Sequence, residues 1–101
     1  MSHEEHYRKL EHMYLSAPCN ASYWPEIKIS EREARVLIPI REDFFHSAGA
    51  VHGSVYFKAM DDAAFFAVNS LVKDVLVLTA SFNTYLTRPV SSGTMKSLGK
   101  V

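Results

Sequence analysis

The sequence contains a single cysteine, no long apolar run and no excess of charge of either sign. Cys19 cannot form a disulfide within the chain, which is typical of a protein in the reducing cytoplasm. Lysine plus arginine and aspartate plus glutamate both number 11, so the composition lacks the basic excess of a nucleic-acid-binding protein. No segment has the apolar length of a membrane span or of a signal-peptide core. These absences predict a cytoplasmic protein without nucleic-acid or membrane partners.

The 101 residues suffice for one domain with one modest core, and they show no repeat or low-complexity tract. Hydrophobic periodicity predicts an amphipathic helix, two strands, a loop, a long helix and two more strands. The expected bounds are 2–15 for the first helix, 24–29 and 34–40 for the strands, 41–51 for the loop, 53–71 for the long helix, and 75–86 and 94 onward for the last strands. The long helix is apolar on nearly every side, so we expect the domain to enclose it.

The most informative stretch runs from His46 to Asp62 and reads HSAGAVHGSVYFKAMDD. A glycine-containing loop turns at His52-Gly53 into the long helix, and the first amides of a helix have no partner within it. An acid follows nine residues after His52. Backbone amides at a helix start and a carboxylate among apolar neighbours are two groups that acyl-transfer chemistry requires.

The two adjacent acids of this helix fall on different faces when plotted at about 100° per residue. Asp62 lies beside Lys58, four residues earlier, on what we expect to be a solvated stripe. Asp61 lies between Phe57 and Phe65, which should desolvate the carboxylate and favour its action as a base or weak nucleophile. A purely structural role for Asp61, as partner of a cation or cap of a loop, is about equally compatible with this placement.

The spacing between Gly53 and Asp61 constrains the assembly. Eight residues correspond to roughly 12 Å along a helix, so one helix cannot bring its own first amide and its own Asp61 to one reacting carbon. If both take part, they come from two copies whose helices run antiparallel. The spacing then predicts a homodimer with sites at the two-fold interface, and it leaves a dimer of dimers open.

These residues resemble the signature of the hotdog-fold acyl-CoA thioesterases of the PaaI type. That signature reads N-x-x-G-x-x-H-G-G, six residues, Asp, a strand with Ser or Thr, and a later Arg-Pro or Ser-Pro. The chain has HSAGAVHGS from His46, then Asp61, Thr79 and Arg88-Pro89. The likeness extends from about Glu33 to the C-terminus. It implies an α+β hotdog fold, in which an antiparallel sheet curls around one long central helix, here preceded by an N-terminal helix.

The resemblance also implies a role for each matching residue. The Gly53 amide polarises the thioester carbonyl, and Asp61 of the other copy activates water or attacks the carbonyl directly. Thr79 helps to place the water or the carboxylate, and His52 shapes the loop. The residues implied to contact substrate are Val51, Ser54 and Arg88. The implied reaction is hydrolysis of an acyl-CoA to free acid and CoA, without a metal or any cofactor other than the CoA of the substrate.

Two residues depart from the signature. His46 stands where the family has Asn or Gln near the carbonyl, and Ser54 replaces the second glycine. An imidazole donates a hydrogen bond as an amide does, so His46 is retained as a catalytic candidate. It also changes charge near neutral pH, which predicts pH-sensitive activity. Ser54 keeps the backbone amide and adds a hydroxyl.

Thr79 has a second interpretation. In the predicted strand 75–86, even positions form the more apolar face, so Thr79 lies on the opposite face unless a bulge changes the register. On the pattern alone, Thr79 is a surface threonine. Arg88 likewise either meets a CoA phosphate or lies in a solvated turn.

The family continues with further strands beyond the residues present here, so we expect residues 1–101 to form a single hotdog domain that lacks its C-terminal strands. Two other functions stay open. One is a non-catalytic acyl-CoA-binding module on the same fold, which the His46 change favours, and the other is a hotdog dehydratase. The fold alone does not decide among them.

Overall fold

The computed structural model describes residues 2–79 and 90–101. The elements in chain order are α1 (His3–Ser16), a 3-10 turn η1 (Pro18–Asn20), β1 (Glu26–Ser30), β2 (Glu33–Pro39), a second 3-10 turn η2 (Glu42–Phe44), α2 (Gly53–Asn69) and β3 (Thr94–Lys100). The three strands form one antiparallel sheet in the order β1-β2-β3. This architecture agrees with the predicted α+β class. Neither helix in these ranges is long and apolar enough to cross a membrane.

The N-terminal helix begins where the sequence predicts. The Ser2 side chain accepts a hydrogen bond from the Glu5 amide at 3.1 Å and so caps α1. Acids in the first turn also complement the positive end of the helix dipole. The helix then buries its apolar face against the sheet and α2 through Tyr7, Leu10 and Tyr14.

Two side chains of α1 form hydrogen bonds with the backbone of strand β1. The Ile29 amide donates to the Glu11 carboxylate at 2.8 Å, and the Ile29 carbonyl accepts from the Arg8 guanidinium at 2.8 Å. Unpaired strand groups are a template for aggregation, and here side chains of a helix cover them. The α1 helix is therefore fixed to the sheet by polar as well as apolar contacts.

The central helix α2 lies on β2 and β3, as its apolar character predicts. Its sheet-facing residues are small, namely Ala59, Ala63 and Ala67, which allows a close approach. The fully buried strand residues opposite are Ile29, Ala34, Val36 and Ile38, each 0% exposed.

The predicted strand over 75–86 is the main difference between expectation and structure. Residues 75–79 are not in a strand, and residues 80–89 lie outside the described part of the chain. The amide and carbonyl of Val77 are bonded to the Asn69 side chain rather than to a neighbouring strand. Leu76 and Leu78, which the alternating pattern places on an inner face, are exposed instead. The apolar side chains of residues 75–79 are therefore not part of a sheet.

Gly99 of β3 is required by the packing of α2. A Cβ added there would overlap the backbone carbonyl of Ala63. We expect Gly99→Ala to lower the free energy of unfolding by about 1–3 kcal/mol, because helix and strand must move apart. Chemical denaturation measures the change. Leu98→Ala is the control, since Leu98 is half-exposed on the other face of β3. Equal stability of Gly99→Ala and the unmodified protein would contradict this contact.

Candidate active site

The loop before α2 is closed by backbone hydrogen bonds. Phe45 and Val51 form an isolated β bridge, and inside it the His46 amide donates to the Ala50 carbonyl at 2.9 Å. Gly49 turns the chain at φ +80°, a left-handed conformation that favours glycine. The loop is therefore anchored at both ends, and it fixes the point at which α2 begins.

Some of the first amides of α2 donate to a hydrogen-bond acceptor and one does not. The Ser54 amide donates to Nδ1 of the His52 imidazole at 3.0 Å, and the Val55 amide donates to the His52 carbonyl at 3.0 Å. The Gly53 amide has no acceptor within residues 2–79 and 90–101. It stands at the positive end of the helix dipole. This is a geometry in which a carbonyl oxygen that gains negative charge can be bound.

The structure brings Asp61 and Thr79 together. The Thr79 hydroxyl donates to Oδ1 of the Asp61 carboxylate at 2.7 Å, although the two residues are 18 positions apart. Asp61 is half-buried. A single hydrogen bond of this kind fixes the orientation of the carboxylate. The two residues were proposed together only from the resemblance, and their roles stay predictions.

Asn69, a residue that the sequence reasoning did not select, binds the backbone of Val77, two residues before Thr79. Its side chain donates to the Val77 carbonyl at 3.1 Å and accepts from the Val77 amide at 2.9 Å. It also donates to the Phe65 carbonyl at 2.8 Å, and the residue is 0% exposed. The His6 imidazole of α1 donates to the Asn69 carbonyl at 2.8 Å. A polar residue in the last turn of an apolar helix was the available signal.

The neighbouring acid, Asp62, has a different environment from the one predicted. Its carboxylate accepts from the Tyr14 hydroxyl at 2.7 Å and from the Lys58 ammonium at 2.9 Å. The Lys58 and Asp62 side chains are only 17% and 18% exposed, so the prediction of a solvated stripe is wrong. The helix wheel describes α2 alone, whereas α1 packs over this face and covers the pair. Asp62 is thus engaged in a structural network.

Burial raises the pKa of the Tyr14 hydroxyl well above its ordinary value of 10, and the hydrogen bond to Asp62 and its charge add to the effect. In the unfolded chain the hydroxyl ionises near pH 10, whereas in the folded chain it keeps its proton. The contribution of Tyr14 to the free energy of unfolding is therefore present in full below about pH 10, and it is lost as the pH rises above that value.

The Tyr14→Phe variant tests this linkage. We expect the unmodified protein to exceed Tyr14→Phe in unfolding free energy by about 1–3 kcal/mol near neutral pH, because the Asp62 carboxylate loses a hydrogen bond. That margin should shrink above about pH 10 as the unfolded tyrosine ionises. Denaturation curves across this pH range measure it, and a margin that does not change with pH would refute the assignment.

Two apolar residues beside Asp61 keep part of their surface exposed. Phe57 is 42% exposed and Val68 is 37% exposed. The desolvation predicted for Asp61 is therefore incomplete within one copy. These phenylalanine and valine side chains lie on the side of α2 that faces away from the sheet.

The remaining predicted site residues are dispersed. His46 is exposed, its Nδ1 accepts from the Ala48 amide at 3.0 Å, and its ring lies 6.5 Å from that of His52. Val51 is 3% exposed and belongs to the core, with its amide bonded to the Val90 carbonyl. Arg88 lies outside the described residues.

The Ser54 hydroxyl lies 2.9 Å from Nδ1 of His52, at the exposed start of α2. Over the described ranges, no three His, Cys, Asp or Glu side chains come together as a metal site would require.

Gly53 and Asp61 are on the same helix, eight residues and roughly 12 Å apart. One chain thus contains both chemical groups without assembling them.

The chain is similar to known proteins in part of its sequence and in its fold. The family model of the thioesterase superfamily matches residues 48–96, which include the last part of the loop, α2 and Thr79. No curated protein is similar enough in sequence to count as a match. The fold is similar to that of the E. coli PaaI protein from the phenylacetic acid degradation operon, with a TM-score of 0.81 and 20% identity over 94% of this chain and 69% of that one.

Two more solved structures share the fold. Thioesterase HI1161 from Haemophilus influenzae has a TM-score of 0.76 at 19% identity, over 91% of this chain and 65% of that one. A phenylacetic acid degradation-related protein from Ralstonia eutropha has a TM-score of 0.66 at 15% identity, over 90% and 73% of the two chains. The chain thus spans about two thirds of the length of these structures.

The fold is the hotdog fold, and the predicted fold class is confirmed. The resemblance to PaaI-type hotdog thioesterases is confirmed as well, since the superfamily model matches the motif from Ala48 onward and the fold is similar to that of PaaI. The superfamily match supports a thioester hydrolase, as the motif predicts.

Proposed function

We propose that the protein hydrolyses an acyl-CoA thioester to a free acid and CoA at sites shared by two copies of the chain. The observation that carries this proposal is the hydrogen bond from Thr79 to Asp61, on a helix whose first amide, at Gly53, has no acceptor among the described residues. An oriented carboxylate and an oxyanion donor are the groups that thioester hydrolysis needs.

In this proposal the Gly53 amide of one copy binds the thioester oxygen and stabilises the negative charge that develops on it. Asp61 of the other copy either takes a proton from the attacking water or attacks the carbonyl carbon itself. If Asp61 takes a proton from water, the water oxygen forms the C–O bond, the C–S bond breaks, and the proton passes to the CoA thiolate. If Asp61 attacks, C–S cleavage leaves a mixed anhydride on Asp61, and water then hydrolyses it, which releases the free acid, regenerates the carboxylate and supplies the proton for the thiolate. Thr79 holds one carboxylate oxygen at 2.7 Å, which limits the rotation of the Asp61 side chain.

The pairing of two copies is supported by a partly exposed apolar surface of α2. Phe57 and Val68 flank Asp61 there and are 42% and 37% exposed. Two α2 helices packed antiparallel on this side would bury these residues, complete the desolvation of Asp61, and place it opposite the other copy's Gly53. Two-fold symmetry then gives two equal sites. A dimer of such dimers stays a prediction.

The single cysteine is free and exposed, which suits the reducing cytoplasm in which we propose that the enzyme works.

The test is release of free thiol from a panel of aliphatic and aromatic acyl-CoAs. We expect thiol release from at least one class, without added metal. Binding of acyl-CoA without turnover would instead indicate a binding module. A change in enoyl absorbance without release of thiol would indicate a dehydratase. Either of the last two results would overturn the proposed reaction.

A further inference from the structure

A cavity of about 270 Å³ lies beside Asp61, between α2 and the wall formed by the end of α1 and η1. Asp61 itself belongs to its lining, so the cavity begins at the acid proposed to act on the thioester. The other lining residues that matter here are Met13, Ala17, Cys19, Phe65 and Phe66.

The polar groups in the wall of this cavity are already bonded to one another. The Asp62 carboxylate accepts from Tyr14 and Lys58, and the Asn20 amide group donates to the Tyr14 carbonyl at 2.7 Å. An apolar ligand placed here therefore separates none of these groups from its partner, and an unpaired buried polar group is what would oppose such binding. The remaining surface is aromatic and aliphatic. The cavity is thus suited to an apolar group.

We infer that this cavity binds the acyl group of the substrate, which deepens the proposed function and rests on it. The carbonyl carbon must meet Asp61, so the carbons of the acyl group continue from the mouth of the cavity. CoA then leaves in the other direction, towards the Gly53 of the second copy. The chain's own α1 and η1, which lie outside the matched motif, select the acyl group.

The cavity is open to solvent on one side, so its volume sets how much of the acyl group is covered rather than a strict size limit. A cavity of about 150 Å³ is enough for benzene, and this one is less than twice as large. It therefore accommodates a ring with a short spacer or an unbranched chain of medium length. Ala17 lines the cavity, so a larger side chain there would shorten it. The residue ends α1 in an extended backbone conformation that any residue adopts, so the backbone should tolerate the substitution.

The first experiment compares kcat/KM for acetyl-CoA with that for medium-chain and aromatic acyl-CoAs, in the unmodified protein and in Ala17→Phe. We expect Ala17→Phe to lose at least about 10-fold on the larger substrates relative to acetyl-CoA, since loss of apolar contact in a pocket discriminates by about this factor. Leu15→Phe is the matched control, because Leu15 is 52% exposed and lies outside the cavity lining. Its profile should equal that of the unmodified protein.

The second experiment does not require turnover. Cys19 is the only cysteine, is exposed, and lines the cavity, so its alkylation by a maleimide reports occupancy. A non-hydrolysable thioether analogue of a medium-chain acyl-CoA, at about ten times its Kd, should slow alkylation about tenfold, whereas CoA alone should not.

The outcomes separate the two proposals. The acyl site is overturned if Ala17→Phe releases thiol with an unchanged substrate profile. It is also overturned if CoA alone protects Cys19 as well as the acyl analogue does. Both results leave the enzyme proposal in place. Protection by the acyl analogue without any turnover keeps the site and overturns the hydrolase. If the protein shows no turnover and the analogue gives no protection of Cys19, both proposals are overturned.

Discussion

Asp61→Asn is expected to lower kcat for thioester hydrolysis by about 10²–10⁴-fold, the range that a positioned general base contributes. The asparagine cannot take a proton from water or attack the carbonyl, so either route fails. Its side-chain oxygen can still accept the Thr79 hydrogen bond seen at 2.7 Å, so the local geometry should persist. Thiol release measures kcat, and thermal unfolding should give an unchanged midpoint.

Asp62→Asn is the matched control, because it makes the same chemical change at the adjacent residue. Here we expect the opposite pattern, in which kcat falls far less than in Asp61→Asn and the free energy of unfolding is lowered by about 1–3 kcal/mol. The reason is that Lys58, only 17% exposed, loses the charge of its partner. If Asp62→Asn abolished turnover while Asp61→Asn did not, the assignment of the catalytic acid would be reversed.

Gly53→Pro is expected to lower kcat by about 10²–10³-fold, as removal of one oxyanion donor does in other enzymes. Proline has no backbone N–H, and the first position of a helix is the one that favours it. His52 has φ −64° and ψ 144°, which a residue before proline adopts readily. The helix should therefore form, and circular dichroism checks it.

Gly53→Ala is the control for this change, because it adds a side chain and keeps the amide. We expect Gly53→Ala to retain much more activity than Gly53→Pro. Equal activity of the two variants would show that the Gly53 amide takes no part in the reaction.

Co-expression of the two inactive variants tests the shared site directly. A mixed dimer of Asp61→Asn and Gly53→Pro contains one site with an intact Asp61 and an intact Gly53, and one site with neither. Half of a random mixture is mixed dimer, so about a quarter of the unmodified activity should return. If each site is built from a single chain, no activity returns.

Much of the fold was predictable because it depends on local pattern. The central helix was expected over 53–71 and is Gly53–Asn69, because its sequence has a helical period, a loop before it and no internal breaker. The N-terminal helix, expected over 2–15 and observed over His3–Ser16, and the strand pair β1–β2 followed from equally local signals. The predicted strand over 75–86 did not hold for 75–79, because alternation says nothing about which partner satisfies the backbone, and here Asn69 does.

The candidate site divides in the same way. The sequence by itself determined the helix start at Gly53, the position of Asp61 eight residues later, and hence the distance that one helix cannot close, because helical rise is a property of the backbone alone. Only the tertiary structure decided that Thr79 meets Asp61 and that Asp62 lies beneath Tyr14. Those contacts join residues far apart in the chain, and their partners are chosen by how α1 and the segment after α2 pack, which no periodicity within α2 encodes.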